Sequence, residues 1–168
     1  TSTTALKLTI PAHGRVYLRG TNKAFGASDG ENYFSSTGKV RCGGVISSLL
    51  TNTKEPLLDL KGRDYAFKRL FREMTTLLNA PELPATMLAP YCYDGMFFKC
   101  TSLVSAPTLP ATTLASSCYN AMFFGCILLT SVPSTLPATT LADCCYYSMF
   151  FGCSNLTTAP ELPATRWA

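Results

Sequence analysis

From residue 80 onward the apolar and polar positions return on a fixed period. Ala80-Pro81-Glu82-Leu83-Pro84-Ala85-Thr86 is written again, with changes, from Ala106, Val132 and Ala159. Between the copies runs Cys-Tyr-x-x-Met-Phe-Phe-(Gly/Lys)-Cys, at residues 92–100, 118–126 and 145–153. Pro84, Pro110, Pro137 and Pro163 are spaced by 26, 27 and 26 residues, and the extra residue falls in Pro133-Ser134-Thr135-Leu136-Pro137. A period of this length marks stacked supersecondary units, a solenoid. Solenoids mostly present an extended surface to a partner.

Each unit predicts one short helix and one short strand. Pro110-Ala111-Thr112-Thr113-Leu114 reads as a helix start, with Thr112 as candidate N-cap. Leu114, Cys118 and Met122 recur at i, i+4 and i+8, one face of a helix. Phe123 and Phe124 close it, and Gly125 supplies the left-handed residue that commonly follows. Leu129-Thr130-Ser131-Val132-Pro133 is the extended run; two prolines per unit exclude a central antiparallel strand. One such unit cannot bury its apolar face alone. The constant columns, among them Leu83/109/136/162, Cys92/118/145, Met96/122/149, Phe97/123/150, Cys100/126/153 and Leu103/129/156, predict ladders inside the stack. At about 1.5–3 kcal/mol per buried large side chain, a few rungs per unit hold the stack without disulfides.

The chain divides at residue 50. Residues 51–80 are a degenerate first unit: a shift of 26 places Leu70 on Met96, Phe71 on Phe97 and Met74 on Cys100. Three full units and a partial last one complete the array to residue 168, with Ala164–Ala168 matching the start of the next unit's helix. Residues 1–50 lack the repeat and predict a β-rich cap. Leu6–Ile10 and Arg15–Arg19 alternate around Pro11-Ala12-His13-Gly14, one hairpin; Phe34-Ser35-Ser36 and Lys39-Val40-Arg41-Cys42 flank Thr37-Gly38, a second. A cap keeps the first core layer out of water.

Charge narrows the function classes. Charged residues make up only 14% of the chain, against about 25% in typical soluble domains. The net +4 is concentrated in the cap and first unit: residues 1–80 carry 12 Lys/Arg against 6 Asp/Glu, residues 81–168 only 2 against 4. A nucleic-acid binder would run its basic stripe along the repeats, which are almost uncharged. No run of 18 apolar residues predicts a membrane span, and no leader is visible at Thr1.

The eight cysteines predict no cofactor. Each pair in a unit is eight residues apart, which is not a zinc-ribbon spacing, and the single histidine, His13, sits in the cap. On a helix, i and i+8 lie about 12 Å apart, beyond disulfide reach. The ladder cysteines therefore read as free, small apolar core residues. Cys42 and Cys144 fall outside the ladder, and Cys144, in the column of Tyr91 and Ser117, reads as an exposed, reactive thiol. A cysteine hydrolase needs a base beside its nucleophile, and one histidine on a turn does not supply it. No phosphate loop and no paired carboxylates occur, so the chain reads as non-catalytic. Asn155-Leu156-Thr157 matches a glycosylation sequon, read as chance.

The Phe-x-Gly-Cys-x-x-Leu runs carry a resemblance. Phe123-Phe124-Gly125-Cys126-Ile127-Leu128-Leu129, Phe150-Phe151-Gly152-Cys153-Ser154-Asn155-Leu156 and, with Lys for Gly, Phe97-Phe98-Lys99-Cys100-Thr101-Ser102-Leu103 are similar to BspA-like (Treponema-type) leucine-rich repeats of bacterial surface proteins. The resemblance covers residues 65–168, and the opening segments resemble the β-rich leader of such arrays. Units of 26 residues are longer than that family's usual ones. The resemblance implies an α/β leucine-rich-repeat solenoid, secreted or anchored at the cell surface, that serves adhesion to a host or matrix protein or glycan. A structural spacer with no ligand is the alternative. No binding residue is carried over, because such surfaces bind as a whole.

Candidate binding positions come instead from columns that vary between units. These are Tyr91/Ser117/Cys144, Asp94/Asn120/Tyr147, Thr101/Ile127/Ser154, Ser102/Leu128/Asn155 and Met87/Thr113/Thr140. Ile127 and Leu128 are apolar where other units carry Thr, Ser or Asn. With Tyr146 and Tyr147 they either form an exposed contact patch or pack between units. Tyr91, Asp94, Asn120, Ile127, Leu128, Tyr146 and Tyr147 are thus the candidate surface; no metal site and no cofactor are expected.

Overall fold

A computed structural model describes residues 14–20 and 33–167. Its regular elements are few: α1 (Ser48–Thr51), β1 (Thr140–Leu141) and β2 (Arg166–Trp167), with β1 and β2 parallel. The chain is instead ordered by coils laid one on the next, joined by parallel bridges such as Met87 with Thr113 and Ser105 with Ser131.

The segments expected as helices are ribbons of consecutive turns, at residues 65–74, 91–100, 117–126 and 144–153. Along a ribbon every second N–H closes a local turn, as in Cys92 to Ala89, Asp94 to Tyr91 and Met96 to Tyr93. The alternate N–H groups cross to the next coil: Tyr93 to the Cys118 carbonyl (3.0 Å), Gly95 to Asn120 (2.8 Å), Phe97 to Met122 (2.9 Å). Every fourth residue has positive φ: Tyr91 (55°), Gly95 (57°) and Lys99 (55°) in one ribbon, Ser117 (53°), Ala121 (48°) and Gly125 (70°) in the next. The true period of the segment is therefore four. An α-helix turns about 40° too far every four residues, so a strict four-residue pattern drifts off its face. In the ribbon Cys118, Met122 and Cys126 all stay fully buried. Tyr119 and Phe123 lie beside them, so each turn contributes a buried pair.

This backbone spends strain to gain registry. A non-glycine residue at positive φ costs about 1–2 kcal/mol, and the chain accepts that at Tyr65, Arg69 and Glu73 as well. The return is a lateral hydrogen bond at every second residue and aligned rings. Phe71, Phe97, Phe123 and Phe150 stack at 5.6, 5.5 and 5.6 Å between centroids, and Phe67, Tyr93, Tyr119 and Tyr146 at 5.7, 5.7 and 5.9 Å. Gly125 sits at φ +70°, where an added Cβ would stand 3.2 Å from Lys99 Cγ. Gly125→Val is expected to lower stability by about 1–2 kcal/mol in urea unfolding. Gly38→Val, with nothing within 4 Å of the added Cβ, is expected to stay within about 0.5 kcal/mol.

The second expected hairpin does not pair with itself. Phe34 N–H donates to Leu70 (2.7 Å) and Val40 N–H to Thr76 (3.0 Å), while the Val40 carbonyl accepts from Leu78 (2.9 Å). Val40 bridges Leu77 and Val45 bridges Glu82, both parallel. The Phe34 ring packs on Phe71 at 5.7 Å. The cap segment thus covers the first coil by joining its pattern, because an apolar ring column and a row of carbonyls offer more than a two-stranded hairpin does. Of the first expected hairpin, Leu6–Ile10 and His13 lie outside the described residues; Arg15–Arg19 is described and carries no strand.

Candidate functional site

The stack sorts the candidate residues into different environments. Ile127 and Leu128 are exposed at 46% and 45%, and Tyr147 at 67%. Ile127 and Leu128 follow Gly125 at the exit of their ribbon. Val104, one coil earlier and exposed at 48%, accepts the Thr130 N–H through its carbonyl, and Ser105 bridges Ser131. Val104, Ile127 and Leu128 are thus exposed apolar residues in the segments that follow two successive ribbons. Tyr147 lies in the column of Asp94 and Asn120, apart from that spot.

Asp94 departs from the expectation of a solvent-facing position. It is 5% exposed, and its carboxylate lies 3.2 Å from Lys68 Nζ, in the same column one coil earlier. Lys68 Nζ also sits 5.4 and 5.3 Å from the ring centres of Tyr65 and Tyr91, which stack at 5.1 Å. Tyr91 thus belongs to a cross-coil ion-pair cluster, with Tyr65 stacked on one face of its ring. Tyr146 is half-buried on Tyr119. Asn120 is half-buried, and its carbonyl receives the Gly95 N–H. These four candidates are buried or half-buried within the stack; the exposed ones are Ile127, Leu128 and Tyr147.

Sequence reasoning passed over two features. Phe98, Phe124 and Phe151 form a third ring column, with centroids 4.9 and 5.0 Å apart, on the outer side of the ribbon. The adjacent Phe-Phe in three units was the signal, and a helix end absorbed it. The other is a groove of about 260 Å³ between Thr112, Thr113, Leu114 and Thr140, Leu141, Ala142. Bridges in this column run from Asp59 through Met87 to Thr113 and resume only with Thr140 and Arg166. The break follows the one unit with an extra residue. No titratable side chain lines it.

The cysteines are thiols, with the six ladder members buried, Cys42 half-buried and Cys144 exposed. Cys100, Cys126 and Cys153 donate through Sγ to the carbonyls of Phe71, Phe97 and Phe123, at 3.0, 3.1 and 3.1 Å. Each tie crosses to the preceding coil. Cys42, expected outside the ladder, lies near enough to Cys100 for its charge to be felt there. Desolvation pushes the Cys100 and Cys118 thiols up to about 12. It drives Cys92, Tyr93 and Tyr119 well above their ordinary values. A raised folded pKa stabilises the fold below the unfolded pKa, and that contribution is lost as pH climbs from there through the folded pKa. Urea midpoints are therefore expected to hold at pH 7–8.5 and to fall steadily from about pH 9 toward 12; a flat profile across that window would contradict the buried thiol ladder.

Among the described residues no group of three or more His, Cys, Asp or Glu could hold a metal ion, and no helix is long and apolar enough to cross a membrane. Compared with models of protein families, with curated proteins and with solved structures, the chain finds no match.

Proposed function

We propose that this chain is a non-catalytic binding module of a bacterial cell-surface protein, a leucine-rich-repeat solenoid behind an N-terminal cap. It works outside the cell, without cofactor, and contacts a host or matrix protein or glycan. The carrying observation is the exposure of the adjacent Ile127 and Leu128 on a stack whose other units place Thr, Ser or Asn at these two positions. Solvation alone gives no reason for that substitution, and clustered exposed apolar side chains are the usual mark of a contact surface. With few charges along the repeats, binding would rest on apolar contact and hydroxyl hydrogen bonds, and nucleic acid is not its partner.

The test is a binding array of matrix proteins and mucin-type glycans, probed with the intact chain and with an Ile127→Ser/Leu128→Ser variant. Both side chains are already half in water, so the variant is expected to fold normally. A hit weakened at least about tenfold in the variant supports the reading. Absence of any hit at tens of micromolar, with folded protein, favours the spacer instead.

A further inference from the structure

Between Thr113 and Thr140 the hydrogen-bond ladder of the stack opens. In the preceding interface it is closed: Thr113 N–H donates to the Thr86 carbonyl (3.1 Å) and Leu88 N–H to the Thr113 carbonyl (3.0 Å). One interface earlier, Met87 N–H donates to Leu58 (3.1 Å) and Leu60 N–H to Met87 (2.9 Å). The matching bonds of the next interface, Thr140 N–H to Thr112 and Leu114 N–H to Thr140, do not form. The Leu114 N–H and the Thr112 carbonyl have no other backbone partner among the described residues. Thr139 C=O takes the Thr165 N–H on the far side (3.1 Å), and alternation along a strand turns the N–H and C=O of Thr140 the opposite way, toward Thr113.

Both walls are seated from behind. Thr113 is bridged to Met87, and β1 is paired with β2. The same two coils touch on either side of the opening, through Ala106 N–H to Ser131 (2.9 Å) and Ser117 N–H to Asp143 (2.8 Å). Between those two ties the later coil carries the extra residue of Pro133-Ser134-Thr135-Leu136-Pro137. A longer path facing a shorter one cannot stay in register along its whole length, and the groove of about 260 Å³ is where the two part.

We propose that this groove is a binding site for one ring of a neutral sugar, a pyranose. Thr112, Thr113 and Thr140 bring three exposed hydroxyls, and half-buried Leu114, Leu141 and Ala142 supply an apolar side. With no charged side chain in the lining, an ion gains nothing there. Sugar hydroxyls both donate and accept, as the open N–H and C=O groups of the two walls require, and the C–H face of the ring suits the leucines. A purely apolar molecule would leave the open backbone groups without partners. A peptide added as an extra strand would run into the ties at Ser131 and Asp143. The site shares no residue with the Ile127–Leu128 surface and does not depend on that reading.

The experiment titrates the full, isotopically labelled chain with glucose, galactose, mannose and N-acetylglucosamine and follows amide shifts by NMR. One of them is expected to move the Leu114 and Thr140 amides saturably, at millimolar concentration. A Thr113→Val/Thr140→Val variant, altered at two exposed positions, is expected to bind that sugar about fivefold or more weakly, and Ile127→Ser/Leu128→Ser to bind it unchanged. The methyl glycoside separates the sources: equal binding supports the end residue of a glycan, and loss of binding supports the free monosaccharide. The proposal is overturned if no sugar moves these amides saturably, if glycerol moves them as well as the sugars do, or if the threonine variant binds as tightly as the parent chain. Saturable shifts with the tripeptide Thr-Thr-Leu and none with the sugars would overturn it in favour of a peptide site.

Discussion

Phe97→Ala is expected to cost about 3–5 kcal/mol, enough to leave much of the protein unfolded at physiological temperature. The ring is fully buried and lies between Phe71 and Phe123, at 5.6 and 5.5 Å. Both neighbours belong to other coils, so the cavity opens in the middle of a column. The surroundings cannot easily collapse into it, because their spacing is set by backbone bonds such as Phe97 N–H to Met122. Leu58→Ala, at a side chain 49% exposed, is expected to change stability by less than about 0.5 kcal/mol. Equilibrium unfolding in urea separates the two. Similar small losses would mean that the rings do not form the load path of the stack.

Lys68→Met is the second large effect, at about 3 kcal/mol. It leaves the Asp94 carboxylate without its ammonium partner at a position 5% exposed, and removes the cation held against Tyr65 and Tyr91. An uncompensated charge in this environment costs more than the pair contributes when intact. Adding Asp94→Asn to Lys68→Met is therefore expected to recover most of the loss. The double-mutant cycle in urea reads the coupling directly. Additive losses from the two substitutions would show that Asp94 does not depend on Lys68.

Much of this architecture was legible in the residues. The period, the six buried cysteines and most of the columns follow from internal comparison, because identical neighbours pack on identical neighbours; Leu162, expected inside with Leu83, Leu109 and Leu136, is instead 54% exposed. Register between coils follows from the same alignment. The ribbon was not legible, for a physical reason. Over the nine residues from Leu114 to Met122, periods of 3.6 and 4.0 differ too little to separate. Gly125 looked like the residue after a helix because it does have positive φ, but so do Ser117 and Ala121, whose side chains gave no sign of it. The paired burial of Cys118 with Tyr119 and Met122 with Phe123 was the available clue.

The candidate surface was legible only in part. Ile127 and Leu128 stood out against their own columns, and they are exposed. Asp94 was grouped with variable solvent positions because Asn120 and Tyr147 share its column. The informative neighbour was one unit earlier, where Lys68 places the opposite charge in that column. Opposite charges in adjacent units of a nearly uncharged array point to an ion pair across the stack.

The most direct test of the whole account is NMR detection of scalar couplings through hydrogen bonds in uniformly labelled protein. The turn ribbon places couplings from the amide nitrogens of Tyr93, Gly95 and Phe97 to the carbonyl carbons of Cys118, Asn120 and Met122. Helical segments would instead couple Phe97 to Tyr93 and Phe123 to Tyr119, four residues back along the chain, and that result would contradict the stack described here.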